Sequence, residues 1–433
     1  MNPYHLAYNL IGAGIGAVLK PAWWLRARHA EDRQEQFRQR FGRYPAALRA
    51  SLGGRGARIW MHAVSVGEVG VALALEDPLT AHVPHCRLAL STTTVQGLIR
   101  ARTVLDGRVP CFYAPIDLPW TTRRALEMVR PHTLVLLETE LWPNLIIAAH
   151  RSGVRTAMLN GRISVRAIER YRKVRPMLAH MLAHVDAFSM ISTADAQRII
   201  SLGAPEERVS VNGNAKFDSP DPHPEREQTR AWAMQLYGLR PETPVFVAGS
   251  TRHPEERSLL SAFRQIHQHF PETVLIIAPR HLERVPRVVQ WVSEAGLSCQ
   301  RRSRLEGEGR HTPVVVLDTI GELAATYSVA RFVFCGGSLV PKGGQNMLEP
   351  ALWSKPVMYG ASMEDFADAR VLIERAGGGF MVQDADRMAA LAIEWLRRPE
   401  VAVEAGRAAR AAILVHRGAA RRHAAVIEGL LKR

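Results

Sequence analysis

Carboxylates stand at two points in the N-terminal half of the sequence where apolar runs end. Glu68 closes the segment Val64-Ser-Val-Gly-Glu68, and Glu138 and Glu140 follow an apolar run that begins at Thr133. A glycine-bearing turn between a strand and a helix normally presents N–H groups to an anion, so Glu68 occupies a position that suits a phosphate. Carboxylates at buried strand ends are costly unless they are paired or functional. All three are candidate functional groups, with helix capping near Pro143 as the alternative for Glu138 and Glu140.

Cationic side chains occupy comparable positions. Lys216 lies in the polar loop Asn212-Gly-Asn-Ala-Lys-Phe-Asp218, and Arg280 and His281 end an apolar run in the C-terminal half. Positive charges placed in this way can stabilise the negative charge that develops on a leaving group. We expect Arg280, Lys216 and helix dipoles to act on such a group.

Three loops in the C-terminal half combine glycine with polar residues. They are Asp318-Thr-Ile-Gly-Glu-Leu323, Cys335-Gly-Gly-Ser338 and Gly343-Gly-Gln-Asn-Met-Leu-Glu-Pro350. Glycines ahead of a helix allow N–H groups to reach a phosphate, and an acid one turn later, Glu349, can accept from ribose hydroxyls. The loops therefore favour a nucleotide ligand, and Gly336, Gly337 and Ser338 form a candidate phosphate loop.

Several common ligand-binding motifs are absent from the sequence. There is no GxxxxGK[ST] segment, which argues against a P-loop enzyme, and no GxGxxG after an apolar run, which argues against NAD. Asp384 and Asp386 form an Asp-x-Asp pair outside the loops described above. We therefore expect neither a metal nor a cofactor. The four cysteines form no CxxC pair, which predicts free thiols in a reducing compartment.

The elements that position these residues alternate short apolar runs with helix-length segments. This alternation predicts parallel sheets covered by helices on both faces. The predicted strands are residues 59–62, 87–91, 133–137, 156–160, 187–191, 244–249, 273–278, 312–317, 331–335 and 355–359. The pattern breaks at a proline-rich stretch, residues 219–224, and then restarts. We predict an α/β protein with two Rossmann-like domains facing a cleft, into which the loops at the strand ends project.

The predicted boundaries follow from these breaks in the pattern. Residues 26–218 form the N-terminal domain, 219–226 the linker, and 227–433 the C-terminal domain, whose last helix is a candidate to cross back. Residues 4–19 contain no Asp, Glu, Lys or Arg, and two tryptophans suited to a membrane interface follow at positions 23 and 24. We predict a membrane-anchoring helix over residues 1–25, with a helix packed on the protein body as the alternative.

The net charge of +15 adds to the case for a membrane surface. Basic clusters follow the apolar N-terminal run, so the positive-inside rule places the body of the protein in the cytoplasm. Polybasic segments beside an apolar anchor favour anionic lipids, although solvated helix faces are the alternative for any one cluster. Aromatic residues are not interleaved with the basic ones, so we do not expect nucleic acid as a partner.

The segments together resemble one protein family. HAVSVGE, LETELWPN, GNAKFD, APRH, DTIGEL and GGSLVPKGGQNMLEP occur in the order and spacing found in 3-deoxy-D-manno-octulosonic acid (Kdo) transferases of lipopolysaccharide synthesis. The resemblance extends from the N-terminus to about residue 390. It implies a GT-B architecture, attachment to the cytoplasmic side of the inner membrane, and inverting, metal-independent transfer of Kdo from CMP-Kdo to the lipid A precursor lipid IVA.

Roles for individual residues follow from this resemblance alone. Glu68 resembles the general base of the family, and Glu138 and Lys216 resemble its transition-state stabilisers. The positions that match CMP-binding segments are Arg280, His281, Ile320, Gly321, Glu322, Asn346, Met347, Leu348 and Glu349. Gln345 and Met347 stand where His and Pro are more frequent in the family.

Two other functions stay open at this point. One is a GT-B-shaped epimerase or a UDP-sugar transferase. This alternative would be excluded if CMP-Kdo alone supports product formation. The other is a non-enzymatic basic protein that binds nucleic acid or lipid. That protein would keep its function after a Glu68→Gln substitution, whereas a transferase would lose turnover.

Overall fold

The computed structural model describes residues 3–10, 12, 14, 31–218 and 226–432. Contacts within the chain divide it into two units, Met1–Pro220 with Arg417–Arg433, and Asp221–His416. Apart from residue 226, the predicted linker lies outside the described residues. The same holds for most of the predicted anchor at residues 1–25.

Seven strands build the sheet of the first unit. They are β1 (Arg58–Ala63), β2 (Arg87–Thr92), β3 (Cys111–Tyr113), β4 (Thr133–Leu137), β5 (Arg155–Gly161), β6 (Ala187–Met190) and β7 (Val209–Val211). Neighbouring strands all pair in parallel, in the order β3-β2-β1-β4-β5-β6-β7. The chain adds β2 and β3 on one side of β1 and then adds β4 to β7 on the other side. The strand order therefore reverses between β1 and β4. Beyond the carboxyl ends of these two strands lies the crevice in which such sheets bind ligands.

Helices cover both faces of this sheet. In chain order they are α1 (residues 3–10), α2 (Glu31–Arg40), α3 (Ala46–Ser51), α4 (Val66–His82), α5 (Val95–Leu105), α6 (Pro119–Val129), α7 (Pro143–Arg151), α8 (Val165–Arg172), α9 (Arg175–Leu182) and α10 (Thr193–Ser201). Trp60 and Leu134 face one buried cluster, whereas Ile59 and Val135 face the other. The strands are therefore apolar on both sides, as parallel sheets require.

The second unit repeats this architecture. Its strands are β8 (Val245–Thr251), β9 (Val274–Pro279), β10 (Cys299–Arg301), β11 (Val314–Val316), β12 (Phe332–Cys335), β13 (Val357–Tyr359) and β14 (Gly379–Met381). They pair in parallel in the order β10-β11-β9-β8-β12-β13-β14. The strand order therefore reverses between β8 and β12.

The helices of the second unit begin at Arg226, the last residue of the predicted linker, which is helical. They are α11 (Arg226–Leu236), α12 (Glu255–His269), α13 (Val285–Glu294), α14 (Leu305–Glu308), α15 (Leu323–Thr326), α16 (Leu348–Leu352), α17 (Ala367–Arg375), α18 (Ala385–Arg397) and α19 (Pro399–Val415). The last helix of the chain, α20 (Ala419–Leu431), belongs to the first unit. There it packs Ile427 and Leu430 into the core cluster that also contains Met61.

The short helix α1 contacts the rest of the first unit through polar side chains. His5 Nε2 lies 2.8 Å from Asn144 Oδ1, and the Tyr8 hydroxyl donates to Asp117 over 2.9 Å. These contacts match the packed-helix alternative for residues 3–10. No helix among the described residues is both long and apolar enough to cross a membrane.

Candidate active site

Glu68 and Glu138 lie beyond the carboxyl ends of β1 and β4, where the strand order of the first unit reverses. β1 pairs with β4 in a register that places His62 beside Leu136. Val64 and Glu138 each follow that pair by two residues, so the loops that carry the two acids leave the sheet side by side. The structure therefore brings together two strand-end segments that lie seventy residues apart in the sequence.

Glu68 belongs to the first turn of α4, and the sequence-based prediction of a turn through Gly67 ahead of the helix is wrong. The helix starts at Val66. Ser65, with an extended backbone, is the N-cap residue, and its carbonyl accepts from the Val69 N–H over 2.9 Å. The Glu68 side chain folds back over the N-terminus of α4. It accepts from the Val64 N–H over 2.6 Å and from the Ser65 hydroxyl over 3.0 Å.

The environment of Glu68 opposes its ionisation. The residue is 8% exposed. Burial, followed by the negative charges of Glu140 and Glu138, raises the pKa of Glu68 to about 8, against the lowering effect of the hydrogen bonds from Val64 and Ser65. A carboxylate with a pKa near neutrality can both lose and accept a proton under physiological conditions.

Glu138 forms an ion pair with Lys216, whose Nζ lies 2.5 Å from Glu138 Oε1. Lys216 comes from a 3₁₀ turn, Ala215–Asp218. Asn160 at the end of β5 holds this turn, since its side-chain oxygen accepts from the Ala215 N–H over 2.8 Å. Glu138 is thus a strand-end carboxylate that is paired with a cation, Lys216.

The capping alternative for Glu138 and Glu140 is wrong. Pro143 does occupy the first turn of α7, as expected, but the N-cap is Trp142. The first N–H groups of that helix, at Asn144 and Leu145, donate to the carboxylate of Asp117 over 3.0 and 2.9 Å. The end of the helix therefore needs neither glutamate.

In the second unit, Arg280 and His281 follow β9, and both side chains are exposed. His281 Nε2 lies 2.9 Å from a guanidinium nitrogen of Arg252, which follows β8. A guanidinium can only donate, so His281 Nε2 accepts this bond. Arg252 was not singled out from the sequence, although its place after an apolar strand is the same signal that identified Arg280.

The predicted phosphate loop already has partners within the protein. The Gly336 N–H donates to Gly249 O over 2.8 Å, and the Gly337 N–H donates to the buried carboxylate of Glu255 over 2.5 Å. The Ser338 hydroxyl donates to Cys335 O and accepts from the Gly360 N–H. Phosphate binding by these N–H groups would therefore require displacement of an internal carboxylate.

Gly336 has a packing role in this loop. A Cβ atom at that position would lie 2.5 Å from Ser250 O and 2.6 Å from Thr251 Cα. The glycine therefore allows β12 to end against β8 at the switch point.

Burial is the largest influence on Glu255 and raises its pKa to about 7, against the lowering effect of the hydrogen bonds that its carboxylate accepts from backbone N–H groups.

The loop after β11 places two candidate residues on the surface and one in an ion pair. The Ile320 side chain is 85% exposed, and Gly321 beside it has a positive φ of 90°. The carboxylate of Glu322 accepts two bonds from the Arg302 guanidinium, over 2.7 and 2.8 Å. Arg302 is a further residue that sequence reasoning missed.

The segment from Asn346 to Glu349 is divided between surface and core. The Asn346 amide donates to the Glu349 carboxylate over 3.0 Å, which orients both side chains at the start of α16. Met347 and Leu348 are buried, at 0% and 2% exposure. Because their side chains are buried, these two positions would contact a ligand through backbone atoms.

Within the described parts of the chain, no group of three or more His, Cys, Asp or Glu side chains is arranged to hold a metal ion. Asp384 serves as the N-cap of α18, where it accepts from the Arg387 N–H over 2.8 Å. Asp386 accepts from the Gln265 amide over 2.7 Å. The Asp-x-Asp pair thus has structural contacts.

The two parallel-sheet α/β units have the architecture of GT-B glycosyltransferases. Over 87% of this chain and all of the other, the structure is similar to the crystal structure of UDP-GlcNAc 2-epimerase from Neisseria meningitidis bound to UDP-GlcNAc, with a TM-score of 0.59 and 13% identity. At that identity the likeness shows the fold alone.

Sequence comparison places the chain within a family. Residues 35–219 match the family model described as 3-deoxy-D-manno-octulosonic-acid transferase (kdotransferase). The chain is 31% identical to the 3-deoxy-D-manno-octulosonic acid transferase of Bordetella pertussis over 98% of its own length and 99% of the relative. It is 30% identical to that of Haemophilus influenzae over 87% of both. The chain therefore belongs to the Kdo transferases, a family of glycosyltransferases.

Proposed function

We propose that this Kdo transferase uses CMP-Kdo as donor and lipid IVA as acceptor, with inversion at the anomeric carbon and without a metal ion. The observation that carries the proposal is the cluster of Glu68, Glu138 and Lys216 at the switch edge of the first unit. A buried carboxylate with a pKa of about 8 stands beside an ion pair of 2.5 Å. Such a cluster provides both a base and a fixed charge pair.

Glu68 acts as the base on the acceptor. Its carboxylate takes the proton of a glucosamine hydroxyl as that oxygen bonds to the anomeric carbon of Kdo. The bond from the anomeric carbon to the CMP phosphate breaks at the same time, and CMP leaves with the electron pair. Attack from the face opposite the leaving group inverts the anomeric centre. Lys216, fixed by Glu138, stabilises the negative charge of this transition state.

Residues of the second unit hold CMP in this proposal. Arg280 and His281 provide donors for the phosphate, and the exposed Ile320 provides an apolar contact beside Gly321. The contribution of Glu322 is indirect, because its carboxylate is bound to Arg302. Asn346 and Glu349 provide polar groups for the ribose, and Met347 and Leu348 contribute through the backbone.

We also propose that the protein works at the cytoplasmic side of the inner membrane, held there by its N-terminal segment and by basic clusters. The net charge of +15 and a lipid acceptor that carries phosphates support this proposal. The described part of α1 leaves Tyr4, Leu6 and Leu10 exposed, at 53%, 43% and 66%. Exposed apolar side chains of this kind suit a membrane interface.

A transfer assay with the full-length chain tests the proposal. Radiolabelled CMP-Kdo and lipid IVA should give a labelled lipid and free CMP, and an excess of EDTA should not change the rate. No labelled lipid with these substrates would contradict the donor and acceptor, and strong inhibition by EDTA would contradict metal independence. Incubation with UDP-GlcNAc alone tests the epimerase alternative, and an epimerised product there would favour it.

A further inference from the structure

Arg252 is a cation at the carboxyl edge of the second sheet, and the proposed mechanism gives it no role. It directly follows β8 and is half-buried. The loop after β9 lies beside it, because the Arg280 N–H donates to Thr251 O over 3.0 Å. The strand order reverses between β8 and β12, and sheets of this kind bind ligands at that point. Arg252 therefore stands where a ligand of this unit is expected, next to Arg280 in the neighbouring loop.

Arg252 is also tied to the glycine loop after β12. Its backbone N–H donates to Glu255 Oε1 over 2.6 Å, and the Gly337 N–H donates to the same oxygen over 2.5 Å. A Cβ atom on Gly337 would lie 3.5 Å from Arg252 Cγ, so the arginine side chain passes over that glycine. The N–H groups of Gly336 and Gly337 donate to acceptors inside the protein. The side chain of Arg252 therefore offers the loop a donor that its own N–H groups do not.

The donors of the Arg252 guanidinium are only partly used. Nη1 donates to His281 Nε2 over 2.9 Å, and an imidazole that accepts at this nitrogen carries no charge. Within the part of the chain that the structure describes, Arg252 forms no ion pair, and its buried Nε has no hydrogen-bond partner. By contrast, Arg284 and Arg302 each form an ion pair with a glutamate. Arg252 is thus a strand-end cation whose charge and Nε–H are left for an anion, since a buried donor without a partner costs free energy.

We propose that Arg252 binds the phosphate of the CMP moiety of the donor. His281 holds Nη1, and Nε and Nη2 form the opposite edge of the guanidinium. The two parallel N–H groups of that edge match two oxygens of a phosphate. This inference rests on the proposed use of CMP-Kdo. It adds a phosphate ligand to Arg280 and His281, and it gives His281 a second task, which is to orient Arg252.

The affinities of the full-length chain for CMP and for cytidine test this inference, because the two ligands differ in the phosphate. Calorimetry measures the binding of CMP, and ligand-observed NMR measures the weaker binding of cytidine. Arg252→Met keeps an unbranched apolar stem over Gly337 and removes the guanidinium. Its affinity for CMP should fall by roughly ten- to a hundredfold, as expected for lost hydrogen bonds to a charged group. Its affinity for cytidine should equal that of the wild type.

Two further variants make the result specific. Arg252→Lys keeps the charge but lacks the two-pronged edge, so its affinity for CMP should fall by a smaller factor. If melting curves show that Arg252→Met does not fold, the same comparison of CMP with cytidine in Arg252→Lys decides. Arg264→Met is the control, because Arg264 is exposed on α12 of the same unit. Both of its affinities should match those of the wild type.

Three results would overturn the inference. The first is an unchanged affinity for CMP in Arg252→Met. The second is an equal loss for CMP and cytidine, which would show a structural role. The third is a loss with CMP-Kdo that is absent with CMP, which would assign Arg252 to the carboxylate of Kdo.

The same measurements separate this inference from the proposed function. If the wild type binds neither CMP nor CMP-Kdo, the proposed donor is wrong and the inference falls with it. If the wild type binds CMP and transfers Kdo while Arg252→Met binds CMP as tightly, the donor stands and the role of Arg252 is wrong.

Discussion

Glu68 is subject to opposing influences that determine when it can act. The Val64 N–H and the Ser65 hydroxyl favour its charged form, whereas burial and two nearby carboxylates favour the neutral form and prevail. The charged form that the proposed mechanism needs is therefore costly for the folded protein. Sites that store such a cost are common where function and stability conflict.

This conflict predicts a pH-dependent stability. The pKa of Glu68 is raised from its ordinary value of 4.5 to about 8, so its stabilising contribution is full below pH 4.5 and is lost as pH rises through 8. Glu68→Gln cannot ionise and avoids this loss. Its melting temperature relative to the wild type should therefore increase between pH 5 and pH 9. Glu127→Gln is the control, because the Glu127 side chain is 59% exposed on α6. A difference for Glu68→Gln that stays constant over this range, as expected for Glu127→Gln, would contradict the raised pKa.

The pair of Glu138 and Lys216 predicts non-additive kinetics. Removal of either partner breaks an ion pair between two partly buried side chains. Glu138→Gln and Lys216→Met should each lower kcat by roughly a hundredfold. The double variant should be no worse than the more damaging single variant, because the groups act as a unit. Losses that multiply in the double variant would show that the two residues act separately.

The sequence identified the residues of the candidate site better than their contacts. Glu138 and Arg280 directly follow strands, as their positions after apolar runs predict. Glu68 lies instead in the first turn of α4, and Lys216 lies in a 3₁₀ turn. The Glu138–Lys216 pair joins residues 78 positions apart, and no local pattern specifies such a pairing. Arg302 was missed because its partner Glu322 is distant in sequence.

At the scale of elements, the sequence predicted the interior strands and missed the edges. The ten predicted strands all exist, with bounds that differ by a few residues at most. The four that were missed, β3, β7, β10 and β14, are the edge strands of the two sheets, and each has three residues. β7, β10 and β14 each contain exposed or half-buried residues, whereas β3 is apolar and buried but only three residues long. A run this short differs little from a loop in sequence.

The last helix links the C-terminus to the loop of Lys216. Asp218 at the end of that loop accepts from the Gly418 and Ala420 N–H groups over 2.5 and 2.6 Å. Arg422 donates to Asn212 O over 2.8 Å at the start of the same loop. α20 therefore supports both ends of the segment that positions Lys216.

Asp218→Ala tests this support. Loss of the two hydrogen bonds frees the turn of Lys216, and a small misplacement there should lower kcat/KM roughly tenfold. Asp384→Ala is a matched control, because Asp384 caps α18 in the second unit. It should cost about 1 kcal/mol of stability and leave kcat/KM unchanged. Equal kinetic losses in both variants would mean that destabilisation alone explains the effect.

At the scale of the molecule, charge governs the proposed encounter with the membrane. The surplus of 56 Lys and Arg over 41 Asp and Glu favours surfaces with anionic phosphates. Charge of this kind acts over about 8 Å at physiological salt and is screened when salt increases. Apolar contact by the N-terminal segment is not weakened in this way. The two contributions can therefore be separated.

Vesicle sedimentation measures these contributions. Binding of the full-length chain to vesicles of anionic and zwitterionic phospholipids should exceed binding to purely zwitterionic vesicles at low salt. The excess should largely disappear as NaCl rises from about 0.05 to 0.5 M. Deletion of residues 1–25 should remove the remaining salt-resistant fraction. Binding that is independent of lipid charge would contradict a role for the basic surface.

The central claim is that Glu68 is the base of the Kdo transfer reaction. The most direct test is a single-turnover measurement of transfer from CMP-Kdo to lipid IVA by Glu68→Gln, together with its affinity for CMP. We expect the rate to fall by about two to four powers of ten, with CMP affinity within a few-fold of the wild type. Transfer at the wild-type rate by Glu68→Gln would contradict the claim.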